Sequence, residues 1–394
     1  AKLRVGVELV SVTDIPGAFL VRLGGAVAGY NWLVLLSFPL SAAAAYLLAC
    51  QLRLSAAGAT FAAMAFAFSP FHVAQAAYHP HIAQTQWVPL YLLALWRCLD
   101  RASPFAVGIL GLATVAVTLS NYYGGLIAAV LTPVAVSAYW FTCVRRSKDA
   151  AHGLVVTIGA LALLALAGLA YAWWAAPSVL SNAVAFAHPP GDVFRYSAKW
   201  WGYLVPPVAH PLVGDLAGRM WVASGVREGL LEQQVGLGWG VVALGLVATY
   251  CWFARDRRVA ALATVPVLAA MAVAALLCSL SPERTIGGFR FVRPSALLHD
   301  LFPMFRAYAR FGMIVQLMAA LMAGVGVECL LRTATRSTRI VCVGLVALAA
   351  GEYAVAPSAL WRDVLPTTAH RWVARQPGRV RALDCVPPNQ ESAS

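Results

Sequence analysis

Charged residues are scarce in this chain, and acidic residues are the scarcest. Only 16 of the 394 residues are Asp or Glu and 29 are Lys or Arg, so that charged residues make up 11% of the sequence. Hydrophobic residues make up 61%, and the mean hydropathy is +0.73. A soluble globular domain carries roughly 25% charged residues. The composition therefore excludes an ordinary soluble domain and indicates a chain that lies within a membrane.

Ligand-binding cysteine patterns are also lacking. The eight cysteines are scattered, with no CxxC pair and no Cys/His spacing typical of zinc, so that neither a zinc site nor a disulfide framework is predicted. The net charge of +13 raises the question of nucleic acid, but no basic patch or nucleic-acid-binding module accompanies it. We therefore predict no nucleic-acid partner and no certain cofactor, and we leave a divalent cation open.

Long apolar stretches are what the sequence has in abundance. Several reach the roughly 20 residues that cross a bilayer as a helix. The candidate spans are residues 28–50, 55–71, 86–97, 105–119, 124–141, 153–176, 236–253, 259–279, 313–331 and 340–357. The third and fourth are short, and 105–141 could form one hairpin that turns at 120–125. The predicted fold class is all-α, a polytopic transmembrane helix bundle of about ten spans.

The loops between these stretches alternate in kind. Twelve of the 29 basic residues lie in five short loops, which are residues 51–54, 97–104, 142–152, 254–258 and 332–339. Lys and Arg concentrate in short cytoplasmic loops, so we predict that these loops face the cytoplasm. The long loops then face outward, and interfacial helices are expected in them because they are rich in proline and aromatic residues.

This orientation divides the chain into three parts. Residues 28–357 form the bundle, with outward loops at 177–235 and 280–312. Residues 1–27 are an outward segment containing a helix over 14–27 that Asp14 caps and that lies in the interface. Because no earlier span would carry this segment outside, we expect a transmembrane helix upstream. Residues 358–394 are expected to begin a longer outward segment.

Two outward turns combine polar and aromatic side chains. The loop over residues 72–86 contains His79 and His81, which could bind a ligand or move a proton. Tyr122 and Tyr123 occupy the turn between the fourth and fifth spans and could form the wall of a head-group pocket. The alternatives are solvated loop histidines and an ordinary aromatic belt at the membrane surface.

Five arginines in the loop 280–312 are unexpected on the outward side. They are Arg284, Arg290, Arg293, Arg306 and Arg310. Arg306 and Arg310 would share one face if 303–331 were helical, and guanidinium groups suit phosphate oxygens. We predict that Arg306, Arg310 and Arg293 bind a phosphate, and the alternative is contact with ordinary lipid headgroups.

Acidic residues supply the remaining candidates. Glu228 and Glu232 lie just before the seventh span at helical spacing, where a carboxylate could act as a general base or bind sugar hydroxyls. The alternative is a solvated helix face. Glu328 and Glu352 fall within predicted spans, where acids are functional candidates by default, although both lie near an end.

Several segments together resemble bacterial GT-C membrane glycosyltransferases, especially the YfhO-like group. They are GYNWLVLLSFPLSAAAAYLL (29–48), FAFSPFHVAQAAYHPHIAQTQWVPLYLLAL (66–95), YLVPPVAHPLVGDL (203–216), EQQVGLGWGVVAL (232–244) and LFPMFRAYARFGMIVQLMAALMAGVGV (301–327). The resemblance covers residues 5–380. It implies a GT-C-like bundle that transfers a sugar from a polyprenyl-phosphate donor to a glycan, lipid or protein acceptor at the outer face of the bacterial inner membrane.

The resemblance also directs attention to particular residues. The catalytic acid of the family usually lies in the first outward loop, which we expect upstream of residue 1, so that Asp14 and Glu232 are the only candidates within the chain. His79, His81, Glu228, Glu232, Tyr122 and Tyr123 are predicted to line the donor and acceptor pocket. Two other functions stay open: a transporter or flippase of a lipid-linked or anionic solute, and a non-catalytic membrane subunit.

Overall fold

The computed structural model describes residues 14–142, 148–175, 186–226, 228–256, 258–333 and 335–355, together with residues 368, 371, 372 and 375. Most of the predicted C-terminal segment, 358–394, and residues 1–13 of the predicted N-terminal segment lie outside the described residues. Helices dominate the part that is described. In chain order they are α1 Asp14–Gln51, α2 Ala56–Ala67, α3 Pro70–Tyr78, α4 Trp87–Asp100, α5 Pro104–Ser120, α6 Tyr122–Thr142, α7 Lys148–Ala175, α8 Pro190–Arg195, α9 Gly214–Ala223, α10 Trp239–Phe253, α11 Val265–Ser279, α12 Pro294–Leu301, α13 Gly312–Arg332 and α14 Arg336–Glu352.

A helix occupies each of the ten predicted spans. Six stretches are long and apolar enough to cross a bilayer: Ile15–Gln51, Ala56–Tyr78, Tyr122–Thr142, Ala151–Ala170, Ala260–Ser279 and Tyr308–Arg332. Helices α5 and α10 are apolar but shorter. The chain is therefore a mostly helical, membrane-embedded bundle, while the count of ten spans stays a prediction.

The first helix changes direction at a glycine. Gly25 has φ 82° and ψ 171°, which divides Asp14–Gln51 into two helical pieces. A positive φ is accessible to glycine because it has no Cβ. The predicted separate helix over 14–27 therefore exists as the piece before Gly25, although its position relative to a bilayer stays a prediction.

Helix α13 is the centre of the bundle. Its residues from Gly312 to Cys329 are almost all buried, and it packs against α2, α10 and α11. Glycines make the contacts close: a Cβ on Gly58 of α2 would lie 2.5 Å from the carbonyl oxygen of Gly324, and a Cβ on Gly324 would lie 2.5 Å from that of Gly58. Helices in lipid associate through this kind of small-residue packing.

Among the described residues, side-chain contacts at one end of the bundle involve the short loops 51–54, 97–104 and 332–339. Asp100 accepts hydrogen bonds from the Gln51 side chain (3.1 Å) and from the hydroxyl of Tyr139 (2.7 Å). Glu328 accepts from the backbone N–H of Ser55 at 2.9 Å and from Arg332 at 3.1 Å. Glu328 therefore accepts the backbone N–H of the residue that precedes α2, and its role is to hold the start of that helix.

Glu352 has the same kind of role at the other end of the bundle. Its carboxylate accepts from the backbone N–H groups of Trp239 (2.8 Å) and Gly240 (2.9 Å), at the start of α10. The first N–H groups of a helix lack partners within the helix, and a negative charge there is favourable. Both predicted intramembrane acids are thus explained by helix ends, and neither belongs to the site described below.

The long connections cover this second end. The connection predicted as 177–235 contains α8, a 3₁₀ helix over Trp200–Leu204 and α9, which agrees with the expected short helices. The connection 280–312 contains α12 and a β-hairpin, with strands β1 Glu283–Ile286 and β2 Phe289–Val292. The all-α prediction was wrong for this hairpin. The pattern ERTI-GG-FRFV carries its signal, because Gly-Gly between β-prone runs favours a tight turn.

Candidate functional site

The predicted loop 72–86 begins as a helix. Ser69 caps α3 and Pro70 occupies its first turn, so that His72 and Gln75 are helical and buried rather than in a solvated loop. Nε2 of His72 lies 2.9 Å from the Ser37 hydroxyl and Nδ1 lies 2.7 Å from the carbonyl oxygen of Ala67. His72 therefore joins α3 to α1, whereas Gln75, one turn before the helix ends, points to the site.

A buried ion pair forms the base of this site. Glu232 and Arg310 have side chains that are 6% and 13% exposed. Nε of Arg310 lies 3.1 Å from both carboxylate oxygens, and Nη2 lies 2.5 Å from Oε1. A two-pronged guanidinium–carboxylate contact fixes both orientation and charge. Because the pair is buried, removing one partner would leave the other charge without compensation.

Two polar residues from α3 and the turn after it face the same carboxylate. The Gln75 amide donates to Oε2 of Glu232 at 3.3 Å, and Nδ1 of His79 lies 3.8 Å from Oε1. Nδ1 of His79 is also 2.9 Å from the side-chain oxygen of Gln75, so that Gln75 connects the imidazole to the acid. Since the side-chain oxygen of Gln75 can only accept, this contact places the proton on Nδ1.

His81 completes this side of the site. Its ring meets the ring of His79 edge-on, with centroids 5.9 Å apart. Burial lowers the pKa of His81 below the ordinary value, and the nearby charges of Arg310 and His79 lower it further, while Glu232 opposes them. These effects favour the neutral imidazole of His81 over the imidazolium.

Tyr123 holds the two arginines of the site. Its hydroxyl accepts from the backbone N–H of Arg306 (3.0 Å) and of Ala307 (2.9 Å). The guanidinium of Arg310 lies over its ring, 4.3 Å from the centroid. A cation over an aromatic face is attracted to it. The predicted pocket role of Tyr123 is thus a contact with both arginines, whereas Tyr122 is exposed and takes no part in this arrangement.

A second ion pair lies at the more exposed side. Nη1 of Arg306 is 3.3 Å from Asp192, and its guanidinium lies 4.9 Å from the centre of the Tyr196 ring. Asp192 is also approached by His188 (3.9 Å) and Arg195 (4.0 Å). The Arg306 side chain is 43% exposed, so this guanidinium is accessible from outside.

Glu228 lies beyond Arg195, to which it is paired at 2.9 Å. It is exposed, and it does not reach the Glu232–Arg310 pair through any contact in the described part of the chain. Glu228 and Glu232 stand at helical spacing in the sequence, but both lie in non-helical chain before α10. The helical-spacing argument was therefore wrong for this pair.

The same correction applies to Arg306 and Arg310. The chain is not helical at Arg306, a 3₁₀ helix occupies Tyr308–Phe311, and α13 begins at Gly312. Residues 302–307 are turn and irregular chain, so that the predicted helix over 303–331 begins only at Gly312. The two arginines are neighbours because Tyr123 contacts both.

Arg293 and Asp14 are not brought to this site. Nη1 of Arg293 donates to the carbonyl oxygen of Ser281 at 3.1 Å, at the base of the hairpin. Asp14 begins α1, and its side chain lies outside the described residues. Two residues that were not among the predicted site residues do contribute to the site: Gln75 contacts Glu232 and His79, and Asp192 pairs with Arg306. Asp192 carried a sequence signal, since it stands three residues before Arg195 in the first turn of a proline-led helix.

Acidic, basic and imidazole side chains gather around the two ion pairs and at their exposed side: three acids, three arginines and three histidines. These are Asp192, Glu228, Glu232, Arg195, Arg306, Arg310, His79, His81 and His188. No group of three or more His, Cys, Asp or Glu side chains placed to hold a metal ion occurs among the described residues. The arrangement offers a deep fixed acid, an imidazole held by it, and accessible guanidinium groups.

Comparison with known proteins gives one match. Residues 23–351 match a family described as Domain of unknown function (DUF6311). No curated protein and no solved structure matches the chain. The matched range contains every residue of the site and all of the helices from α2 to α13.

Proposed function

Since the chain belongs to the DUF6311 family, whose description names no activity, we propose a function from the site itself. The proposal is a membrane glycosyltransferase that moves a sugar from a polyprenyl-phosphate donor to an envelope acceptor. The resemblance of residues 5–380 to GT-C enzymes motivates the reaction class, and the geometry of the site supports it.

One observation carries the proposal: a histidine near a buried acid lies at the same end of an apolar helix bundle as an accessible guanidinium. His79 contacts Gln75 at 2.9 Å and lies 3.8 Å from Glu232. Arg306, 43% exposed, is held to the same end by Tyr123. Transfer from a lipid phosphate needs a proton acceptor for the incoming hydroxyl and positive charge for the departing phosphate.

His79 is the proposed proton acceptor. With Nδ1 protonated toward Gln75, the opposite ring nitrogen, Nε2, is the one that accepts a proton. Glu232 stabilises the imidazolium that forms, because a carboxylate nearby favours the charged form of a histidine. Arg310 keeps this carboxylate in place through its two-pronged contact. Glu232 and Arg310 are therefore positioning residues in this proposal.

Arg306 is the proposed phosphate contact. A guanidinium has five N–H donors in a planar fork, and Asp192 accepts from Nη1 at 3.3 Å. The remaining donors suit the oxygens of a phosphate. Arg195, which contacts Glu228 and approaches Asp192, adds positive charge at the same side. The arginines predicted to bind phosphate are thereby reduced from three to one principal residue, Arg306.

Membrane vesicles that contain the protein, supplied with polyprenyl-phosphate sugars and an envelope extract as acceptor, test this proposal. We expect His79→Gln to lower kcat about 100-fold or more, the usual contribution of a general base. Arg306→Gln should raise the KM for the donor. Arg219→Gln, an exposed arginine on α9 outside the site, is the matched control.

Three results would contradict the proposal. Unchanged turnover in both variants would remove the assigned roles. Movement of the lipid-linked sugar across the bilayer without transfer would identify a transporter. Donor that is neither bound nor consumed by the unmodified protein would favour a non-catalytic subunit.

A further inference from the structure

The five outward arginines separate into two groups in the structure. Arg306 and Arg310 belong to the site around Tyr123. Arg284, Arg290 and Arg293 lie on the β-hairpin or directly after it. The candidate function uses only the first group, so the role of the second group is a separate question.

The hairpin has two unlike faces. Its register pairs Arg284 with Phe291 and Thr285 with Arg290, and Gly287 and Gly288 form the turn with φ 57° and 85°. Side chains directly opposite each other in an antiparallel pair share a face, and alternate residues do too. One face therefore presents Arg284, Phe289 and Phe291, while the other carries the ion pair between Glu283 and Arg290.

The aromatic face is strongly exposed. Phe289 is 75% exposed and Phe291 is 53% exposed. All four residues of β2 are exposed. Helix α12 follows at once and exposes Leu297 and Leu301, which share a helix face at a spacing of four. Large exposed apolar side chains on two consecutive elements suggest an interaction surface.

Chain geometry holds the hairpin close to the membrane surface. The apolar stretch Ala260–Ser279 ends just before it. A residue advances at most about 3.4 Å, so Glu283 lies within roughly 14 Å of the end of that helix. The second strand returns to the end of the same helix. The N–H of Arg293 donates to the carbonyl oxygen of Pro282 (2.8 Å), and the hydroxyl of Ser295 donates to the carbonyl oxygen of Leu280 (2.7 Å).

Basic side chains converge at the base of the hairpin around Ser281. Lys199 donates to the Ser281 hydroxyl at 3.3 Å, and Arg293 donates to the Ser281 carbonyl oxygen at 3.1 Å. Burial and the charge of Arg293 lower the pKa of Lys199. Burial and the charge of Arg284 lower the pKa of Arg293. Like charges gathered in this way repel, and an anion bound among them would relieve the repulsion.

We propose that the aromatic face of the hairpin and the basic residues Lys199, Arg284 and Arg293 together bind an anionic phospholipid of the surrounding membrane. The basic residues would contact its headgroup phosphate, and Phe289 and Phe291 would enter the boundary between headgroups and acyl chains. Aromatic side chains favour that level of the bilayer, and basic residues near it attract anionic lipid. This lipid is a structural partner, and its binding does not depend on the proposed glycosyl transfer.

Hydrogen exchange of the full chain in nanodiscs tests the proposal. Backbone amides of residues 283–292 are compared in phosphatidylcholine discs and in discs that also contain phosphatidylglycerol. We expect slower exchange in the hairpin when phosphatidylglycerol is present. Native mass spectrometry should show that Lys199→Gln and Arg293→Gln each weaken phosphatidylglycerol retention roughly fivefold, which corresponds to about 1 kcal/mol per basic residue near a membrane surface.

Control variants distinguish lipid binding from a disturbed fold and from binding of a free anion. Arg219→Gln should retain phosphatidylglycerol as the native chain does. Arg293→Lys keeps the charge and should restore most of the binding, whereas a disturbed fold would not be rescued in this way. Equal hairpin exchange in both kinds of disc would overturn the proposal. So would full protection by inorganic phosphate in phosphatidylcholine discs, because the site would then take a free anion.

Discussion

Tyr123 joins two arginines through different parts of one side chain. The hydroxyl accepts from the N–H groups of Arg306 and Ala307, and the ring lies under the guanidinium of Arg310. It also packs edge-on against Phe305, with ring centroids 4.9 Å apart. The irregular segment before α13 is thereby attached to the start of α6, and the geometry of both ion pairs depends on that attachment.

Replacing Tyr123 with Phe separates these two roles. The ring and its contact with Arg310 remain, but the N–H groups of Arg306 and Ala307 lose their acceptor. An unpaired buried donor costs about 1–3 kcal/mol, so we expect a loss of that order in the free energy of unfolding measured in detergent. Tyr122→Phe, at the exposed neighbouring position, should change nothing measurable. Equal stability of the two variants would contradict the anchoring role.

His81 should make the stability of this region depend on pH. Its folded pKa lies below the ordinary value of 6.5, chiefly because neighbouring residues remove part of the water around the ring. The unfolded chain therefore binds the proton more readily, so that the stabilisation is present above pH 6.5 and is lost as the pH falls below it toward the folded pKa. Thermal unfolding of His81→Gln should fall less steeply on acidification than that of the native chain. Parallel pH profiles for the two proteins would argue against this effect.

Which residues belong to the site was easier to predict from the sequence than which of them contact each other. His79, His81, Glu232, Arg310 and Tyr123 were identified from their chemistry and their position at the ends of apolar stretches. Their pairing was not, because helical spacing was assumed at 303–310 and 228–232, where the chain is not α-helical. The contact of Glu232 with Arg310 joins residues far apart in sequence, and no local pattern encodes such a distance.

Close helix contacts in this bundle occur at glycine residues. Gly58 of α2 and Gly324 of α13 face each other, and a Cβ on either would lie 2.5 Å from the carbonyl oxygen of the other. On the opposite side of α13, a Cβ on Gly326 would lie 2.0 Å from the carbonyl oxygen of Leu244 in α10. Backbones this close leave no room for a larger residue.

Gly324→Val should therefore force α2 and α13 apart. Overpacking a tight contact costs about 1–3 kcal/mol. We therefore expect a loss of that order in the free energy of unfolding, measured in detergent. Gly344→Val in α14 is the matched control, since nothing lies within 4 Å of a Cβ at that position. Both changes place a β-branched residue in a helix, so their difference isolates the packing. A similar loss in both would refute the role of close contact.

Elements were predicted unequally well from the sequence. Every predicted span contains a helix, because an apolar run in a bilayer has to satisfy its backbone hydrogen bonds internally. The buried helix α3 was interpreted as loop, since His72 and Gln75 are polar and their partners come from distant segments. The hairpin was missed although Gly287-Gly288 carried a local turn signal, because the surrounding prolines and arginines suggested an irregular loop.

The molecule as a whole separates basic loops from long connections. Contacts among Gln51, Asp100 and Tyr139, and between Ser55 and Glu328, gather the short loops at one end. The candidate site, the hairpin and the start of α10 lie at the other end. The side of the membrane that each end faces is predicted from the basic residues alone.

Side-specific labelling tests this orientation. A cysteine introduced as Arg219→Cys should react with a membrane-impermeant maleimide applied to intact cells. A cysteine introduced as Arg339→Cys, in the first turn of α14, should react only after the cells are opened. Labelling above the background of the native cysteines is measured in each case. The reverse pattern would invert the topology and place the candidate site in the cytoplasm.

The sequence by itself determined that the chain is helical and membrane-embedded, where its helices lie and which loops are basic. These properties follow from composition and from runs of neighbouring residues, since the bilayer acts on each segment separately. Only the tertiary structure decided which charges meet: Glu232 with Arg310, Arg306 with Asp192, and Lys199 with Arg293 at Ser281. Those contacts depend on how helices pack and where irregular segments turn, and that packing is a property of the whole fold.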